Sequence, residues 1–180
     1  MLTYYKIIDL ENYDTIIKKS LDYVKTIDTA YNRKLRASWY TLSVRELIIA
    51  CPELSFALDK HDLKIHMAAV YVMYDPMHSG IHIDNYNAQA RLSLPLLNCN
   101  NTYTNFYESD GEIVKWINPD SGEVSWNPTG QPKLVDRVEI KQATVIRTKV
   151  FHSVDVPIGN PVPRITLTLG LSKDPVYMLE

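Results

Sequence analysis

Apolar residues recur along this chain in two different rhythms, and the change between them falls near Leu63. Leu2 to Leu10 reads as a first strand. Asn12-Tyr13-Asp14 then offers a helix cap, and Ile16, Ile17, Leu21, Val24 and Ile27 follow at the spacing of one helical face. A second helical stretch runs from Val44 to Leu58, opened by Ser43 with Glu46 three residues on, the pattern of a capping box. Pro52 lies inside it and lacks an N–H, so the stretch is either two short helices or one with a break. Beyond Leu63 the runs shorten and become β-branched and aromatic: HMAAVYVMY, GIHID, ARLSLPLL, YTNFY, GEIVKWI, GEVSW, VEIKQATVIRT, VFHSV and RITLTLGL. Pro, Gly, Asn and Asp separate them, so the expectation is a sandwich or jelly roll.

The 180 residues suit one domain with a sizeable core, helical support over about 12–62 and a jelly roll over about 64–175. An apolar fraction of 46% with 22% charged residues is that of a soluble globular protein. A net charge of −2 supplies no basic surface for a phosphate backbone, which disfavours nucleic acid as a partner. Cys51 and Cys99 are isolated and read as small buried apolar residues rather than a disulfide framework. The N-terminus has no basic start followed by an apolar run, and no stretch reaches ~18 consecutive apolar residues. A cytoplasmic location without membrane attachment is the expectation.

Chemistry concentrates at His82-Ile83-Asp84, His152 and Arg164-Ile165-Thr166. Residues i and i+2 of a strand project from one face, so His82 and Asp84 can reach one metal together, with His152 supplied by a neighbouring strand. Two imidazoles and a carboxylate occupy one triangular face of an iron(II) ion and leave three positions open. An Arg soon afterwards can clamp a carboxylate with its planar fork of donors. A lone His-x-Asp is weak, since a surface ion pair with His152 as a core residue would read the same. Yet His82 is the one histidine of five with an acid two residues on.

These residues resemble the 2-oxoglutarate/Fe(II)-dependent oxygenase superfamily, in which His-x-Asp…His holds iron and a later basic residue binds the far carboxylate of 2-oxoglutarate. Arg164 stands twelve residues after His152, with Thr166 in the place of a hydroxyl partner. The stretch HSGIHIDNYNAQARLSLPLLNCNNTYTNFYE looks like the aspartyl/asparaginyl and proline hydroxylase branch. There, an Arg nine residues after the first His helps bind the co-substrate, and Arg91 has that place. Tyr71, eleven residues before His82, matches a strand position carrying a hydroxyl toward the co-substrate. The resemblance spans roughly residues 66–175. It implies a mainly β fold with N-terminal helices, a double-stranded β-helix of the jelly-roll, cupin-like kind. It also implies a dioxygenase that uses Fe(II), 2-oxoglutarate and O2 and hydroxylates an amino acid, a peptide side chain or a small metabolite, releasing succinate and CO2. Asp84 retains the carboxylate that related halogenating enzymes replace by a small residue, which favours hydroxylation.

Other readings stay open at this point. Nucleic-acid alkylation repair enzymes carry Arg-x-Asn-x-Thr-x-Arg on the last strand, whereas this chain has Arg164-Ile165-Thr166-Leu167-Thr168-Leu169-Gly170. A cupin-like metal enzyme that does not consume 2-oxoglutarate would need no Arg at 164, and a jelly-roll binding module would need no metal ligands at all. The turn Asn118-Pro119-Asp120-Ser121-Gly122 joins strands carrying Trp116 and Trp126, a hairpin that either covers a pocket mouth or packs on the sandwich. Tyr71, Tyr74, Tyr86, Tyr103 and Tyr107 all fall near the expected metal strands, with ordinary packing the plainer role for most.

Overall fold

Among the described residues, three sheets and three α-helices carry out this pattern. The structure, a computed structural model, describes residues 2–27, 37–84, 87–117 and 124–180, so Tyr86 and the turn at 118–122 lie outside the described residues. The strands are β1 (Tyr5–Ile7), β2 (Ala37–Leu42), β3 (Ile65–Met73), β4 (Ala90–Leu97), β5 (Tyr103–Glu108), β6 (Ile113–Ile117), β7 (Val124–Pro128), β8 (Lys133–Val138), β9 (Thr144–Arg147), β10 (Phe151–Asp155) and β11 (Arg164–Leu171). The helices are α1 (Tyr13–Thr26), α2 (Val44–Ala50) and α3 (Pro52–Asp59), and a 3-10 turn closes the chain at Pro175–Leu179.

The helix signals act with one exception. Ser43 Oγ accepts the Glu46 backbone N–H at 3.3 Å and starts α2. Pro52 ends it by opening α3 as an early residue, where its missing N–H costs nothing. Asn12 sits at the cap of α1 but has a left-handed backbone (φ 59), and its side chain makes no cap bond. The conformation is one asparagine tolerates. Two strand expectations shift. The first strand keeps only Tyr5–Ile7, an edge strand whose one pairing partner is the short β9. Ala37–Leu42, within the region expected to be helical support, forms the opposite edge strand beside β3.

The large antiparallel sheet has the order β1-β9-β4-β11-β3-β2 and the smaller one β10-β5-β8. Residues 78–83 extend the smaller sheet beyond β10 through the bridges His78 to Asp155 and His82 to His152. Alternation along β11 sorts the interior into two chemistries. Ile165, Leu167, Leu169 and Leu171 join Val70, Val72, Leu92, Leu94 and Val145 in the main core, against Ile16 and Val24 of α1, Leu47 of α2 and Leu54 and Leu58 of α3. Leu167 is fully buried, so truncating it to Ala removes about 2–5 kcal/mol of stability. Arg164, Thr166 and Thr168 are buried as well but point the other way, toward the smaller sheet. That second face carries the polar residues.

Candidate metal and co-substrate site

The site is built on the strand pair formed by residues 78–83 and β10. His82 donates its backbone N–H to His152 O at 3.0 Å, and His152 returns the bond to His82 O at 2.9 Å. Directly paired residues of an antiparallel ladder project from the same face, and the two imidazole centroids are 4.6 Å apart. Asp84, two residues along, places Oδ1 3.5 Å from His82 Nε2 and 3.6 Å from His152 Nε2. One donor atom from each of the three lies within 4.8 Å of the other two.

Both rings are oriented by backbone carbonyls. His82 Nδ1 lies 2.8 Å from Gly80 O, and His152 Nδ1 lies 2.9 Å from Val150 O. A carbonyl only accepts, so each Nδ1 carries a proton and each Nε2 is turned toward Asp84. Burial, and then the neighbouring His82, push the His152 imidazole below its ordinary value, which keeps the ring neutral. For Asp84 burial acts upward. The bond from His82 and the charges of His152, His82 and Arg91 outweigh it, so the carboxyl stays below its ordinary range. Neutral imidazoles and an ionised carboxylate are the forms that bind a metal. The donor set therefore fits an octahedral divalent ion with open positions, iron(II) among them.

Arg164 begins β11 and is 2% exposed. Its Nε donates to Thr102 Oγ1 at 3.0 Å, and the Thr102 hydroxyl, itself buried, donates to Cys99 O at 2.8 Å. Asn98 Nδ2 donates to Pro163 O at 2.9 Å, and the Cys99 thiol donates to Ile165 O at 3.2 Å, so residues 98–102 latch onto the start of β11. One terminal nitrogen of Arg164, Nη1, is buried with no hydrogen-bond partner among the described residues. A buried cationic N–H left in that state costs several kcal/mol. An anionic ligand would satisfy it.

Thr166, two residues on, stands opposite Tyr71 of β3 and Pro95 of β4. Trp39 stands opposite Tyr71 from β2, with ring centroids 6.2 Å apart. Arg91, 3% exposed, lies on β4 with its guanidinium carbon 5.8 Å from the Trp39 ring centroid. Pairing and alternation thus put Arg91, Thr166, Tyr71 and Trp39 on the polar face that carries Arg164. Of these neighbours, Thr102 and Trp39 were not signalled by the sequence. Thr102 precedes a strand without any distinguishing motif, and Trp39 sits on the strand that periodicity missed.

The remaining candidates have other surroundings. Tyr107 belongs to the opposite face of the smaller sheet, where its hydroxyl is 3.1 Å from Ser153 Oγ and 3.2 Å from His78 Nε2. Tyr103 stacks under the Arg137 guanidinium at 4.3 Å, and Tyr74 meets Tyr40 hydroxyl to hydroxyl at 3.0 Å. The hairpin β6–β7 touches the metal strand through the bridge from Ile83 to Trp126, while Trp116 is exposed. Cys51 and Cys99 are free thiols and buried. No described helix is long and apolar enough to cross a membrane.

No protein-family description and no curated protein sequence matches the chain. Solved structures do. AviO1 from Streptomyces viridochromogenes Tue57 superposes with a TM-score of 0.52 at 14% identity, covering 96% of this chain and 90% of that one. HygX from Streptomyces hygroscopicus, with nickel and 2-oxoglutarate bound, superposes at 0.51 with 12% identity, covering 94% of this chain and 82% of that one. A prolyl hydroxylase from Trichoplax adhaerens, in complex with a hypoxia inducible factor peptide, gives 0.43 at 15% identity over 94% and 83% of the chains. The chain has the jelly-roll fold of the 2-oxoglutarate-dependent oxygenases, as its resemblance at the motif level implies.

Proposed function

We propose that the protein is a 2-oxoglutarate-dependent dioxygenase of the non-haem iron type that hydroxylates a small molecule, an amino acid or a peptide side chain. One observation supports this above the others. A His, His, carboxylate cluster lies on the same polar interior as Arg164, whose Nη1 is buried without a partner among the described residues. HygX, which has the same fold, carries both a metal and 2-oxoglutarate.

His82, Asp84 and His152 would hold the ion from one side and leave its other positions to ligands. Arg164 would receive the C5 carboxylate of 2-oxoglutarate by charge-assisted hydrogen bonds, aided by the Thr166 hydroxyl and by Tyr71 across the strand pair. Arg91 adds a second cation near the metal ligands. With dioxygen, the iron and its co-substrate supply the oxidising chemistry, yielding succinate and CO2. The chain's residues orient the co-substrate and hold water away from it. Asp84 occupies the ligand position a halide would need, which favours transfer of hydroxyl.

Incubating the Fe(II)-loaded protein with 2-oxoglutarate and oxygen against amino-acid, peptide and methylated-oligonucleotide panels tests the assignment. Succinate release with a gain of one oxygen atom on an amino acid, peptide or small molecule, abolished by a chelator, is expected. A demethylated oligonucleotide, or chlorinated product in chloride buffer, would place the protein in a different branch.

A further inference from the structure

The β6–β7 hairpin continues the metal strand, and its register decides which of its faces meets the site. Ile83 donates its backbone N–H to Trp126 O at 2.8 Å, and the two residues form an antiparallel bridge. Residues 78–83 therefore lie between β10 on one edge and β7 on the other. Paired residues share a face, and neighbours along a strand alternate. His82 and Asp84 point to the metal side, so Ile83 and its partner Trp126 point away from it. Asn127 and Ser125 flank Trp126 and face the metal side, Asn127 across from His82 and Ser125 across from Asp84. Val114 and Trp116, their partners on β6, share that face.

The ligand cluster is open in this direction. The His152 side chain, on β10, is 10% exposed, whereas that of His82, on the strand next to β7, is 28% exposed. Ser125 Oγ donates to Asn127 Oδ1 at 3.0 Å, which takes up the amide oxygen and leaves the Nδ2 donors to a ligand. Trp116 presents a half-exposed indole beside them. None of these four residues is charged, and Lys115 belongs to the opposite face with Trp126.

We propose that Asn127 and Trp116 recognise the substrate, and that the group they recognise is an uncharged peptide amide. This inference rests on the metal and 2-oxoglutarate reading above. The Asn127 donors call for an oxygen acceptor, and the flat apolar indole calls for a planar group laid against it. An amide plane supplies both. A free amino acid carries two charges, and an uncharged wall would desolvate them without compensation. The half-exposed position of Trp116 also lets a longer chain run on into solvent. Among the substrates open to the proposed reaction, an amino acid within a peptide therefore fits this face, and the free amino acid does not. Asn127 and Trp116 are then specificity-determining residues, distinct in role from the metal ligands and from the co-substrate anchor Arg164.

Free alanine and N-acetylalanine N-methylamide make the direct test, because both carry the same methyl group and only the second has peptide groups. The protein is loaded with Mn(II), saturated with 2-oxoglutarate and kept free of oxygen. Mn(II) then speeds the NMR relaxation of the alanine methyl on any probe held near it. The expected result is enhancement for the capped probe exceeding that for free alanine by roughly tenfold, the factor that one moderate polar contact contributes. Asn127→Leu keeps much of the volume without the donors and should bring the two probes together. Trp116→Ala should remove most of the difference, and Asn127→Gln should keep part of it. Both positions lie outside the buried core, and calorimetric titration should show parent-like 2-oxoglutarate binding in all of these variants. Normal 2-oxoglutarate binding by the parent, with free alanine relaxed as strongly as the capped probe, overturns the inference alone. Retention of the full difference in Asn127→Leu does the same. So does loss of 2-oxoglutarate binding in Asn127→Leu with metal binding intact, which would make Asn127 a co-substrate residue. Absence of 2-oxoglutarate binding in the Mn(II)-loaded parent overturns both the inference and the function it rests on.

Discussion

His82 and His152 exchange both of their backbone hydrogen bonds across adjacent strands, at 3.0 and 2.9 Å, and their imidazoles rise side by side from that pair. The two metal-directed rings are thus placed by sheet register rather than by a loop. Each ring is then held at Nδ1 by a carbonyl two residues back in its own chain segment. Backbone pairing does not depend on side-chain identity, so the geometry and the fold are separable.

That separation gives the first prediction. His152→Ala and Asp84→Ala should each abolish Mn(II) or Ni(II) binding in calorimetry while leaving the β-sheet circular dichroism of the parent. Asp84→Ala removes the sole carboxylate of the cluster and should be the cleaner variant, since His152 is the more buried side chain. Parent-like metal affinity in either variant would contradict the assignment of these ligands.

A second prediction concerns Thr102, which holds Arg164 at Nε and is itself fastened to Cys99 O. Thr102→Val keeps the volume and removes the hydroxyl. A hydrogen bond to a charged group is worth about 1.5–3 kcal/mol, so 2-oxoglutarate affinity should fall by roughly one to two orders of magnitude. Metal affinity should be unchanged, because Thr102 touches none of the three ligands. Thr102→Ser should recover most of the loss. Equal weakening of metal binding would instead mean that the substitution disturbs the whole sandwich.

The pH dependence of stability follows from the two perturbed ligands. The folded-state His152 pKa lies below its ordinary value, so the unfolded chain binds a proton that the folded chain refuses. Stability from this group is present above the ordinary histidine range and is lost as pH falls below about 6.5. Asp84, also depressed, contributes stability above the ordinary aspartate range and loses it as pH falls toward its folded value. Both therefore destabilise the metal-free protein on acidification, His152 first. Denaturation midpoints of the parent and of His152→Gln, followed from pH 8 to pH 4 (roughly the span of the two ordinary pKa ranges), should converge at the acidic end. Parallel curves would contradict the pKa directions.

Much of this arrangement was legible in the residues, for reasons that can be stated. His82 and Asp84 are separated by two, which is the strand period, and the sheet keeps them on one face as that period requires. Pro52 divides the second helical stretch because it cannot supply an N–H, and α2 and α3 meet there. Ser43 shows as a cap because its hydroxyl lies at the required three-residue offset. What escaped was tertiary. Trp39 lies on an edge strand whose Ser-Trp-Tyr-Thr sequence has neither clean alternation nor turn signals at its ends. Thr102 acts only because the corner between β4 and β5 folds against the start of β11, a contact between residues 62 apart. Asn12 kept its place at the head of α1 but not its mechanism, since a left-handed backbone turns the side chain away from the helix N–H groups.

Titrating 2-oxoglutarate into Mn(II)-loaded protein, metal-free protein and Mn(II)-loaded Arg164→Ala tests the central claim most directly. The account predicts binding to the first, little to the second, and a loss of about 2–5 kcal/mol in the third, the cost of removing one partner of a buried charged pair. Parent-like affinity in Arg164→Ala would contradict the anchor assigned here. Absence of any 2-oxoglutarate binding to the Mn(II)-loaded parent would contradict the whole account and favour a cupin-like metal protein that does not use this co-substrate.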